Sequence, residues 1–73
     1  MVDLDYSISE IDAFMRMYEE DFVKYGSGSL NYNCLKGIDR NISIIRDVNP
    51  ELADNIQQRV NQTINSLYDT YRR

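Results

Sequence analysis

The 73-residue chain has no histidine, no tryptophan, one cysteine, one proline and three glycines. Each scarcity excludes something. Without histidine, the side chain that most often moves protons near neutral pH is missing, as is the commonest metal ligand. A single cysteine, Cys34, permits no internal disulfide and no cysteine-based metal cluster. No apolar run approaches the ~20 residues of a membrane span, so no membrane partner is expected. No secretory leader is recognisable, and with the lone thiol this points to a cytosolic, reducing setting. Asn41 and Asn61 each open a glycosylation-type tripeptide, but both fall inside expected helices and are treated as chance matches.

What is present suits one small core. The apolar share is 42%, typical of a folding chain, and residues 1–73 are expected to form a single helical domain near the lower size limit. Twelve acidic and eight basic residues leave a net charge of -4, which argues against a general affinity for phosphate backbones. The charge is uneven. Residues 1–26 carry seven acids against two bases; the rest carry five against six.

Apolar periodicity predicts three helices, near 8–25, 31–48 and 50–71. Ser7 and Glu10 form a capping-box pattern that should open the first. Its face is Ile11, Phe14, Met15, Tyr18, Phe22 and Tyr25, and Gly26 follows where a left-handed cap is wanted. The second begins near Ser29 or Asn31, either of which can cap it. Its seam is Leu35, Ile38, Ile42 and Ile45, with a second stripe of Cys34, Gly37, Asn41, Ile44 and Val48 beside it. Apolar over about half its circumference, this helix needs two neighbours. Asn49-Pro50-Glu51 then ends one helix and caps the next. The third helix carries Leu52, Ile56, Val60, Ile64, Leu67 and Tyr71 on one face. The expected fold is all-α, an up–down–up antiparallel three-helix bundle, which oligomerisation can complete in so short a chain.

Catalysis finds no support in these residues. Glu19, Glu20 and Asp21 are adjacent on a helix and point in different directions, as a solvated face does. Gly26-Ser27-Gly28-Ser29 lacks the lysine and spacing of a phosphate loop. No catalytic residue, cofactor or metal site is expected, and the protein is read as a non-enzyme. A helix-turn-helix would need shorter helices and a basic recognition helix; here Lys36, Arg40 and Arg46 are offset by Asp39 and Asp47.

Protein binding is left. Met17, Val23, Ile44 and Tyr68 fall off the core stripes. Phe14 and Met17 stand with Glu10 and Asp21 on one flank of the first helix, an apolar strip with an acidic rim. The second stripe of helix two could seat a second copy, because Gly37 permits close approach and Asn41 a buried hydrogen bond. The topology also gathers Tyr25, Tyr32, Tyr68 and Tyr71 at one end with Lys24, Lys36, Arg72 and Arg73. A third helix longer than its neighbours should overhang that end by about 6 Å. The expected function is a small acidic protein-binding module, a regulator, inhibitor or accessory subunit, whose partner is a larger protein or a second copy. The alternative is a nucleic-acid-associated factor using the basic, tyrosine-rich end.

Overall fold

The computed structural model describes residues 3–26 and 29–71, with Ser29 and Leu30 described by backbone alone. Three helices, α1 (Leu4–Tyr25), α2 (Ser29–Val48) and α3 (Pro50–Thr70), make an all-α bundle, with no strand among the described residues. Phe14 of α1 meets Gly37 of α2, and a turn further on Tyr18 meets Asn31. One helix advances as the other retreats, so the pair is antiparallel. Arg46 and Asp54 pair across the second turn in the same sense. Consequently α1 and α3 run parallel to each other.

Local chemistry sets the ends. The structure corrects the expected start of α1: Asp3 is the cap, its Oδ1 accepting from the Tyr6 amide at 3.1 Å, and Ser7 lies a full turn inside the helix. The physical reason is burial. Starting at Leu4 lets Leu4 and Ile8 pack against the core and buries Ser7 on the same face. The Glu10 carboxylate meets the Tyr6 hydroxyl instead of a backbone amide. Gly26 ends the helix where a cap was expected, but at φ +76° and ψ -161°, an extended positive-φ conformation instead of the left-handed helical one, its amide donating to the Phe22 carbonyl at 2.9 Å. Gly28, expected to share that turn, lies outside the described residues.

Of the two expected caps of α2, Asn31 does not serve as one; it sits inside the helix and reaches across to α1. At the second turn Asn49 does cap, its Oδ1 accepting from the Leu52 amide at 3.2 Å, with Pro50 in the first helical turn. Helices of 22, 20 and 21 residues are nearly equal, which corrects the expected overhang of α3. The added first turn of α1 and the earlier start of α2 remove the difference.

Two buried clusters form the core. Ile11, Ile38, Ile42, Ile45, Ala53 and Val60 fill the half nearer the α2–α3 turn. Tyr18, Phe22 and Cys34 fill the other, with Leu35, Ile64 and Leu67 against them. As its two stripes demand, α2 is the shared element: α1 packs strongly on it, α3 packs on it too, and the α1 and α3 backbones approach closely at few points, meeting through side chains such as Phe22 and Tyr68. Two expected face residues are not in the core. Tyr25, the last residue of α1, is 76% exposed, and Tyr71, just after α3, is 46% exposed. Ala53, absent from the expected face, is fully buried because a small side chain is what the close approach of α3 to α2 admits.

Candidate functional site

The expected docking strip on α1 does not hold together as a surface. Phe14 turns into the α1–α2 contact, where its ring occupies the space a side chain on residue 37 would take. A Cβ built on Gly37 would stand 2.6 Å from the ring. Met17 does face solvent, 45% exposed. Asp21 is half-buried and engaged, accepting at 3.0 Å from Asn31 Nδ2, which also donates to the Tyr18 carbonyl at 3.3 Å. Met17, Glu20, Asp21, Val23, Lys24 and Tyr25 border an open concavity of about 750 Å³. Its lining among the described residues comes from α1, and it is open enough to receive another surface.

The second stripe of α2 is mostly taken. Phe14 fills the notch at Gly37, Cys34 is buried, and Asn41 is buried with Nδ2 donating to the Gly37 carbonyl of its own helix at 2.9 Å. Ile44 and Val48 alone are left outside, 36% and 52% exposed. The expected second-copy contact through Gly37 and Asn41 is therefore corrected: α1 already covers that stripe.

At the tyrosine end the four expected rings divide into two pairs. Tyr68 and Tyr71 lie edge-on to Phe22, ring centres 4.9 and 6.4 Å away, and cover the aromatic cluster from α3. Beneath them, Tyr18 stacks on Phe22 with centroids 6.0 Å apart. Burial pushes the Tyr18 hydroxyl up to about 12, helped by the charge of Tyr68 and a hydrogen bond to it. Burial likewise raises the Cys34 thiol, with the charge of Asp21 adding to it, so the thiol is held away from its reactive form.

Tyr25 and Tyr32 form the other pair and stand away from the core, 76% and 61% exposed. Lys36 Nζ sits 5.3 Å from the centre of the Tyr32 ring. Arg72 and Arg73, half of the expected basic charge at this end, lie outside the described residues. Among those described, Lys24 and Lys36 share the end with Glu20, Asp21 and Asp69.

A feature that periodicity alone does not disclose lies between α1 and α3. Because these helices lean on α2 more than on each other, a groove of about 310 Å³ opens between them. Ile8, Ile11 and Met15 line it from α1, Ile56, Val60 and Thr63 from α3, with Asp12 and Glu19 along one rim and Arg59 along the other. The signal in sequence was Arg59 beside the Ile56–Val60 face. Its meaning depends on a separation of helices that sequence does not show.

Among the described residues, no three metal-binding side chains converge, and no helix is long and apolar enough to cross a membrane. Comparison with protein-family models, with curated proteins and with solved structures finds no match to this chain. Function must be argued from the surfaces themselves.

Proposed function

We propose that this chain is a small helical binding protein that acts by docking a larger protein at its tyrosine end, with no catalysis of its own. The observation that carries this is the division of labour among the rings. Tyr68 and Tyr71 close the core over Phe22, whereas Tyr25 and Tyr32 stand in solvent without closing anything. Large rings that folding does not use are the side chains most often found at the energetic centre of an interface. Met17 and Val23 extend the apolar area along α1, and Glu20 and Asp21 give it an acidic margin. The partner surface that matches is apolar at its centre with lysine or arginine around it.

The test is affinity capture with cross-linking from the native cell, run in parallel on the wild type and on the Tyr25→Ala/Tyr32→Ala variant. Protein and nucleic acid are both measured in the eluate. The expected result is a protein retained by the wild type and lost by the variant, in a salt-sensitive manner, while the melting temperature is nearly unchanged. Recovery of nucleic acid in place of protein, or of the same protein by both forms, counts against the proposal.

A further inference from the structure

The groove between α1 and α3 is separate from the tyrosine end and has its own logic. Its floor is apolar and only part-covered: Ile8, Met15 and Ile56 are half-buried in a chain that has little core to spare. Its rims carry opposite charge, Asp12 and Glu19 on the α1 side and Arg59 on the α3 side. Among the described residues the ion pair is Arg46–Asp54, and Arg59 forms none across the groove.

We propose that a second copy of this chain closes the groove, packed across a twofold axis parallel to the helices. Such an axis lays α1 of one copy over α3 of the other, parallel to it and at the same height. Each copy's Arg59 then faces the acidic rim of its partner, and the same pairing occurs twice, as an isologous interface requires. A foreign helix bearing charge of one sign would match one rim and be repelled by the other. The chain itself matches both.

The dimensions allow it. The molecule is 42 Å long, so α1 and α3 of a second copy, each about 30 Å, can lie against the groove along its whole length. The same axis leaves the two tyrosine ends side by side at one extremity of the dimer, outside the groove.

Sedimentation equilibrium on the full chain tests this, because the monomer is 8.6 kDa and a dimer is twice that. The wild type should be dimeric. Arg59→Glu alone, and Asp12→Lys with Glu19→Lys, should each weaken self-association by about tenfold or more, since like charges then face each other twice. All three positions are exposed, so helix content by circular dichroism should not change. An equimolar mixture of the two variants should regain the wild-type association, and native mass spectrometry should show one copy of each. A wild type that stays monomeric up to about 1 mM, the weak end of measurable affinity, overturns the proposal and leaves the groove to a different protein. So does a mixture that associates no better than its components, or a variant that dimerises as well as the wild type. None of these outcomes bears on the Tyr25 and Tyr32 surface, which the capture experiment tests alone.

Discussion

Near the α2–α3 turn the core is aliphatic, built from Ile11, Ile38, Ile42, Ile45, Ala53 and Val60. Near the α1–α2 turn it is built from Tyr18, Phe22 and Cys34, with Asn31 buried beside them. The first half buries the Ser7 hydroxyl and the Asn41 amide but nothing that titrates, so its stability comes chiefly from area removed from water and is indifferent to pH. The second half buries a phenol, a thiol and an amide, each of which must be satisfied or kept neutral. Asn31 shows the cost: Nδ2 has two acceptors, while Oδ1 is buried with none. Isoleucine gives one half its strength. Specific polar contacts give the other half its register.

The largest blow should fall on the aliphatic half. Ile38→Ala removes a side chain with no exposure at the centre of α2 and should cost about 2–5 kcal/mol in urea denaturation. Ile42→Ala, 3% exposed on the same seam, should fall in the same range. A cost below about 0.5 kcal/mol at both would mean that the isoleucines do not carry this half. Next in size is Asn31→Ala, which strips the Tyr18 carbonyl and Asp21 of their shared donor and should cost about 1–3 kcal/mol. A neutral result would show that relieving the orphaned Oδ1 offsets both lost bonds, and that the polar half is not held by Asn31.

Gly37→Ala sits at the seam between the halves. Alanine favours a helix over glycine by about 1 kcal/mol, but its methyl would strike the Phe14 ring. A net loss of about 1–2 kcal/mol is expected, and Phe14→Leu in the same chain should recover most of it. A stabilised Gly37→Ala would mean the ring moves aside freely.

The smallest effect at neutral pH, and the sharpest separator of the two halves, is titration. Tyr18 and Cys34 hold their protons more tightly folded than unfolded. Their contribution is complete below the unfolded values and is lost with rising pH, for Tyr18 between 10.0 and about 12. Stability measured against pH should therefore fall across that alkaline window, and Tyr18→Phe should flatten the slope. An unchanged slope would assign the alkaline loss to exposed groups instead.

What could be read in the sequence was whatever depends on neighbours along the chain. Asn49-Pro50 ends one helix and starts the next through contacts three residues apart, and it does so here. The isoleucine seam of α2 and the burial of Cys34 follow from periodicity and hold. Asn31 fails that test because its acceptors lie 13 and 10 residues away, and the same side chain is equally suited to a cap. Ser7 and Glu10 match a capping box as well as any pair can. Asp3 prevails because the longer helix buries Leu4 and Ile8, a tertiary gain. Phe14 belongs to two faces by periodicity, and only the missing side chain at Gly37 decides between them.

That the α1 and α3 backbones approach each other closely at few points also sets how the chain finds its fold. Nearly every close approach of backbones joins helices adjacent in sequence, separated by Asn49 in one case and by the three residues between Tyr25 and Ser29 in the other. Closing such short loops costs little entropy, and no distant segments must meet before the core begins to form. Folding should therefore fall in the microsecond-to-millisecond range of helical proteins rich in local contacts. The α1–α2 hairpin, with the larger share of packing, is the natural nucleus, and α3 condenses onto it by folding back at Pro50.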